Sequence, residues 1–456
     1  MLPILLTASF TLAVDFSILN IALPAMGADV GFALEHLQWI ATAFALCAAG
    51  FTLLFGRVAD MFGRRRLFLV GITLLGVSSL VGGLAQEPTL LLVARVAQGL
   101  ATAMVAPAAL SLLTTSFPEG PRRDRALGLN GALMAAGFTT GAILGGILTD
   151  VLSWRWAFFV NVIVAACVLA VAPVVLAESR PTARPRLDVP GAVTVTLGLL
   201  SVVYGLSTAG EASWAAPLAW GPLLAGAILL TVFWMVEKQV AQPLVPVSIL
   251  TRGTVAWGNI AGLLAFATET SLVFLLTLYL QKVLGYSPLV AGLSFAVLGA
   301  GTVLGGLVGP RVIGRIRFDR TLVAGFLVQA VATAPLAFLG PDSAWIIVVL
   351  VATFVGGVAN LVAIVGFMVT ATTGLPDGEQ GLATGLATMS QQVGITMGIP
   401  VMSAIATARI HSLGAETPAT VLSGVTTAIA VNAGLCVLTA LAVALFLRVP
   451  KGQVTA

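Results

Sequence analysis

Residues 37–86 read LQWIATAFALCAAGFTLLFGRVADMFGRRRLFLVGITLLGVSSLVGGLAQ. Two apolar runs, each long enough to cross ~30 Å of hydrocarbon as a helix, flank a hairpin that carries Arg57, Arg64, Arg65 and Arg66. Outward from this stretch the pattern repeats to both ends. Apolar runs fall near 2–24, 37–56, 67–86, 89–113, 126–149, 155–177, 190–209, 218–236, 254–280, 288–309, 321–340, 344–372, 382–408 and 424–447. Hydrophobic residues make up 59% of the 456 positions and charged residues 9%, against about 25% charged in a soluble domain. An ordinary soluble enzyme, a disordered chain and a secreted scaffold are all excluded. The breaks are short and marked by Pro24, Pro88, Pro118, Pro181, Pro243, Pro246, Pro288, Pro341 and Pro376. None of these gaps can hold a soluble domain, so function must lie within the membrane.

An even number of spans puts both termini on one side. With the termini inside, eighteen of the 22 Lys and Arg fall in inner loops, three (Arg155, Lys282, Arg409) in outer loops, and Arg95 inside a span. Such a positive-inside bias supports the span count. It predicts a multi-pass protein of the cytoplasmic membrane with cytoplasmic termini, and explains the net charge of +4 without a nucleic-acid partner. Asp15 interrupts the first apolar run and no basic segment precedes it, so a retained first helix is expected rather than a cleaved leader. Cys47, Cys167 and Cys436 are isolated, and His36 and His411 are the only histidines, which leaves no metal or disulfide framework to expect.

The chain repeats itself loosely. Asp15 and Glu269 each sit mid-span, and the basic hairpin at 56–66 is echoed at 309–317. Gly137, Gly141 and Gly145 are echoed by Gly394 and Gly398. These landmarks predict a six-helix bundle (1–177), a two-helix insert (178–250) and a second six-helix bundle (251–456). Two matching halves around a mid-membrane site describe a secondary transporter.

Ionisable groups in the bilayer are costly, at least ~2.5–3.5 kcal/mol each on insertion scales, and so mark function. Asp15 and Glu269 are the acids that no loop or span end absorbs; Arg95 is the one basic residue within a span. Counting from Pro24 and Pro88 puts Asp15 and Arg95 at matching depth, roughly 10–14 Å below the outer surface, so they can meet. Desolvation favours the neutral carboxyl and a nearby arginine the charged one; a cavity that opens and closes could therefore switch Asp15 between them. A static ion pair locking two helices is the competing reading, disfavoured because an apolar pair would do this with less desolvation. Glu269 lies in Ala-Thr-Glu-Thr-Ser (267–271), whose hydroxyls could solvate it; it is expected to serve a proton or a cationic substrate, or to be a protonated structural acid. The glycine triples at 137–145 and 301–309 let backbones approach closely, either for packing or as a moving seal. There is no Walker A sequence and no His-Glu-x-x-His, so ATP-driven pumping and zinc proteolysis lack their parts.

Several of these stretches resemble the major facilitator superfamily, specifically its 14-spanner drug:H+ antiporter family. Gly56-Arg-Val-Ala-Asp60-Met-Phe-Gly63-Arg64-Arg-Arg66 resembles the hallmark loop between helices 2 and 3. Leu12-Ala-Val-Asp15-Phe16 through Asn20 to Pro24 is similar to the first-helix motif, and Arg95-Val-Ala-Gln98-Gly99 to the fourth-helix motif. Gly137-x3-Gly141-Ala142-x2-Gly145-Gly146 resembles the fifth-helix motif; Trp154-Arg155-Trp156 through Asn161 and Gly285-Tyr-Ser-Pro288 through Gly292 also fit. Three positions depart from the family pattern: Ala142 stands in place of proline, Asn161 precedes Val-Ile rather than Val-Pro, and Phe44 replaces a frequent tyrosine.

The resemblance implies a fold of fourteen helices arranged 6 + 2 + 6 and a monomeric, non-enzymatic transporter that needs no cofactor beyond the proton gradient. Its implied activity is proton-coupled export of amphipathic or cationic small molecules, of the multidrug or antibiotic-efflux type. Asp15, Arg95 and Glu269 would couple protons. Gly56, Asp60, Gly63, Arg64, Gly137, Gly141 and Gly145 would serve the conformational switch. A substrate cavity would draw on Phe16, Asn20, Phe44, Gln98, Met134, Phe138, Phe266, Thr270, Phe295, Asn360 and Gln391. A single-metabolite exporter or uptake carrier of the same fold is the alternative; a membrane enzyme or sensor is more remote, because no cluster of polar catalytic groups stands at one membrane face.

Overall fold

A computed structural model of the chain describes residues 1–33, 36–116, 121–178, 188–211, 216–240, 252–372, 377–414 and 416–447, with Pro243 and Val247. In chain order the helices are α1 (Leu2–Val30), α2 (Gln38–Phe62), α3 (Arg64–Gly83), α4 (Pro88–Ser116), α5 (Pro121–Val151), α6 (Trp156–Val175) and α7 (Val189–Glu211). They continue as α8 (Pro217–Gln239), α9 (Gly253–Leu278), α10 (Pro288–Ile316), α11 (Phe318–Thr333), α12 (Ile346–Thr372), α13 (Asp377–Ser412) and α14 (Pro418–Phe446). Among the described residues twelve helices are long and apolar enough to cross a membrane, and α2 and α5 add the shorter apolar stretches Gln38–Thr52 and Ala136–Val151. That is compatible with the fourteen spans expected. The chain is an all-α, multi-pass membrane protein, as helices must be where no water can satisfy the backbone.

Pro24 does not end the first span. It lies inside α1, which runs on to Val30 and stops at Gly31, whose left-handed φ of 86° turns the chain. Gly31 and Phe32 both donate to the Gly27 carbonyl there, closing the last turn. Proline is tolerated within a membrane helix because neighbouring helices accommodate the freed carbonyl. Pro107, Pro173, Pro222, Pro310 and Pro400 are likewise intrahelical.

Two compact units form: Met1–Leu200 with Tyr286–Ala296, and Ser201–Gly285 with Val297–Ala456. Within the first, α1 packs on α5, and α3 packs on both α4 and α6. The second repeats these pairings, α9 on α13 and α11 on both α12 and α14. Exposure separates centre from rim: 83% of the apolar window of α9 and its following turn is buried, against 17% for α8. Most of the α8 surface is therefore left for lipid.

Glycine sets the closest contacts. A Cβ at Gly137 or Gly141 would lie 2.8 Å from the Phe10 carbonyl or 2.7 Å from that of Val14, and one at Gly145 would strike Ile18. The triple thus forms the seam that lets α5 lie directly on the α1 backbone, as small residues do in membranes. Gly394 and Gly398 on α13 make the same approach to the Leu263 and Ala267 carbonyls of α9. The second triple, Gly301, Gly305 and Gly309, seats α10 on α12 at Phe354, Val358 and Val365.

Candidate functional site

Asp15 lies at the middle of α1, fully buried, and four other helices converge on it. Arg95 of α4 brings Nη1 to 3.6 Å from Asp15 Oδ2. Gln98, one turn on, donates Nε2 to Asp15 Oδ1 at 3.4 Å and to Ser79 Oγ of α3 at 2.8 Å. Asn161 of α6 also donates its side-chain amide to Asp15 Oδ1. Arg95 has other commitments: Nε donates to the Ile40 carbonyl of α2 and Nη1 to Gln98 Oε1, both at 2.8 Å. Its guanidinium also lies over the Phe44 ring, 4.2 Å from the centroid, where the ring's negative face attracts a cation.

The pair expected from matching depth therefore forms, with a loose geometry. A tight Arg–carboxylate lock is bidentate, with two N–O distances under 3 Å. Here Asp15 Oδ2 is buried with no hydrogen-bond partner among the described residues. The arginine is also held by a carbonyl, an amide and a ring.

Phe16, the next residue on α1, meets the knot through Phe44, the ring that carries the Arg95 guanidinium. Its ring lies 6.2 Å from that of Phe44 and 6.1 Å from that of Phe138 of α5. Asn20, one turn along the same face, is buried with its amide nitrogen unpartnered among the described residues. Met134 is half-buried, four residues before Phe138, and its sulfur accepts from Asn130. Phe295 is buried near the start of α10, in the portion that groups with the first unit.

The second unit holds a knot of the same plan without charge. Asn432 of α14 donates to the Thr268 carbonyl at 2.9 Å and to Ser271 Oγ at 3.0 Å. Gln329 of α11 donates to Thr268 Oγ1, and Asn360 of α12 to Gln329 Oε1, each at 3.4 Å. Asn360 also reaches the Ala265 carbonyl at 3.0 Å. Thus α1, α3, α4 and α6 have their counterparts in α9, α11, α12 and α14.

Glycine contacts fix the register between the knots. Gly137 and Gly141 touch Phe10 and Val14; Gly394 and Gly398 touch Leu263 and Ala267. Aligned this way, Asp15 corresponds to Thr268, and Glu269 corresponds to Phe16. The pairing of Asp15 with Glu269 suggested by their mid-span positions is one residue out, which rotates the side chain by about 100° on a helix. Nor do the flanking hydroxyls face Glu269: those of Thr268, Thr270 and Ser271 donate to the carbonyls of Leu264, Phe266 and Ala267, four residues back. Glu269 is buried, and its Oε1 has no hydrogen-bond partner among the described residues.

The Major Facilitator Superfamily profile matches residues 5–399. The chain belongs to that superfamily. Among its superfamily relatives, a cephamycin export protein of Amycolatopsis lactamdurans is 39% identical over 406 residues, covering 87% of this chain and 82% of the relative. A puromycin resistance protein of Streptomyces alboniger is 36% identical over 450 residues, covering 96% and 89%. In fold, this superfamily chain is similar to an auto-inhibited POT family peptide transporter, with a TM-score of 0.67 at 16% identity and coverage of 100% and 98%.

Other residues named from the superfamily resemblance take several places. Gln98 and Asn360 are committed to the knots; Thr270 packs against Gly398. Phe266 and Gln391 are half-buried on α9 and α13. At the hallmark hairpin, Gly63 has φ 111° and begins α3; the Asp60 side chain lies outside the described residues. Gly56 faces the Pro107 ring at an ordinary 3.8 Å, and Arg64 is half-buried.

Three residues absent from the sequence-derived set contribute here. Glu178 accepts from the Arg65 backbone N–H at 3.1 Å and pairs with Arg66 at 3.8 Å, placing an anion at the α3 N-terminus. Asn161 and Ser79 complete the Asp15 knot. Asn161 carries the one amide in an otherwise apolar α6, a signal legible in the sequence; nothing in the sequence singles out Ser79 from Ser78.

Proposed function

We propose that the chain is a proton-coupled antiporter that exports amphipathic or cationic small molecules of antibiotic type across the cytoplasmic membrane. The observation that carries this reading is the loosely paired Asp15, buried in a polar knot beside an arginine with independent anchors. The printed names of the relatives, cephamycin export and puromycin resistance, support antibiotics as the substrate class. In this reading two six-helix bundles and a two-helix insert form a monomer with cytoplasmic termini. The bundles rock so that Asp15 is open to each side in turn, taking up a proton outside and releasing it inside.

The energetics suffice. One proton exchanged for an uncharged substrate and moving down 100 mV releases ~2.3 kcal/mol, enough at ~1.36 kcal/mol per decade for a roughly fifty-fold substrate gradient; exchange for a monocation moves no net charge and draws on the pH difference instead. ATP is not required. In proteoliposomes an imposed pH gradient should drive counterflow of puromycin or a fluorescent dye. Asp15→Asn should abolish the coupled flux, and undiminished gradient-driven flux in that variant would refute the mechanism.

A further inference from the structure

We propose that Arg317 and Asp319 form a latch that holds the α10–α11 turn in a strained backbone state. Opening the latch lets residue 317 relax and frees α11 to move against α10. The inference needs neither a proton nor a substrate, so it does not rest on the transport reading.

In each unit a single residue separates α2 from α3 or α10 from α11. In the first it is Gly63, with φ 111° and ψ 129°; its N–H donates to the Ala59 carbonyl, and its own carbonyl accepts from the Leu67 N–H. In the second it is Arg317, with φ 72° and ψ 157°; its N–H donates to the Ile313 carbonyl, and its own carbonyl accepts from the Thr321 N–H. The bonds span four residues in both directions in both turns, so the two turns share one plan. Gly314, the glycine of the second hairpin, lies three residues too early, inside α10.

Glycine takes such a conformation readily, whereas a residue with a Cβ is strained there. Arg317 is the one non-glycine residue with positive φ among the described residues. Strain of this kind persists only where the surroundings over-determine it. The backbone bonds are common to both turns, and the Thr321 hydroxyl adds a bond of 2.6 Å to the Arg317 carbonyl. What sets the second turn apart is the guanidinium, which grips Asp319 with Nε on Oδ1 and Nη2 on Oδ2, each at 3.0 Å. That two-pronged geometry is the strong form of an arginine–carboxylate pair.

The first turn is braced from outside, by Glu178 on the Arg65 N–H and on Arg66. The second is braced by its own side chains, two residues apart. Arg317 and Asp319 are 38% and 21% exposed, so their fork can part into water without stranding a buried charge. Backbone strain favours opening and the fork opposes it, which gives the turn two states.

The test is amide hydrogen exchange on the purified full-length chain, read by mass spectrometry over residues 318–321. Asp319→Asn should speed exchange at least tenfold. Arg317→Lys, which keeps the charge and the Cβ but cannot make the fork, should do the same. In an Arg317→Gly background, where no strain is left to restrain, adding Asp319→Asn should change exchange less than threefold. Residues 322–333 should keep their wild-type rates in every variant, because only the turn opens. A smaller rise in the Asn or Lys variant would overturn the latch, as would faster exchange throughout α11. So would a threefold or larger effect of Asp319→Asn in the glycine background, the result expected if Asp319 were only an anion at the α11 N-terminus.

Discussion

Asn161 of α6 donates its amide to the carboxylate of Asp15 on α1, although 146 residues separate them. Arg95 stands 3.6 Å from the other carboxylate oxygen, so the amide makes the closer contact. A buried hydrogen bond to a charged group contributes about 1.5–3 kcal/mol. Asn161→Ala should therefore slow pH-driven exchange in proteoliposomes by about tenfold or more while the protein still purifies as a folded species. An unchanged rate would show that the amide has no part in setting the state of Asp15.

Arg95 should not be replaceable by lysine. A lysine ammonium cannot bond the Ile40 carbonyl and Gln98 and lie flat over Phe44 at once. Arg95→Lys should cost at least tenfold in exchange. Arg95→Ala, which strands the Asp15 carboxylate, should destabilise the protein by about 3–5 kcal/mol, and adding Asp15→Asn should recover part of that loss. Thermal unfolding in detergent of the two single variants and the double variant measures the coupling; strict additivity would contradict it.

The two kinds of glycine should respond differently to one methyl group. Gly141→Ala forces α5 off the Val14 carbonyl and should cost about 1–3 kcal/mol. Gly56→Ala meets only ordinary contact with Pro107 at 3.8 Å and should unfold within a degree or two of wild type. Equal losses in the two melting curves would refute the seam.

At the hairpin, Gly63→Ala adds a Cβ at φ 111° and within 2.7 Å of Glu178 Oε1. Strain of this kind costs of order 1–3 kcal/mol. Glu178→Ala, which removes only an anion from a helix N-terminus, should cost about 0.3–1 kcal/mol, and less at high salt. Melting temperatures of both variants at low and high ionic strength would separate strain from charge.

Composition and loop charge alone determined that this chain is a bundle of membrane helices. Water is absent from the bilayer, so an apolar run of sufficient length has one acceptable backbone conformation. The same economy exposed Asp15, Arg95 and Glu269, since a charge in oil stands out whatever surrounds it. Where α1 ends was not legible from Pro24, because whether a membrane helix tolerates a proline depends on neighbours that lie elsewhere in the chain.

Tertiary packing alone decided what each charge faces. Asp15 and Glu269 look equivalent along the sequence, yet Gly141 against Val14 and Gly398 against Ala267 set a register that differs by one residue. One residue is about 100° of rotation, enough that Glu269 does not take in its unit the place that Asp15 holds among the amides. Spacing along the chain cannot resolve that angle. It is fixed by which backbone carbonyl each glycine leaves room to touch.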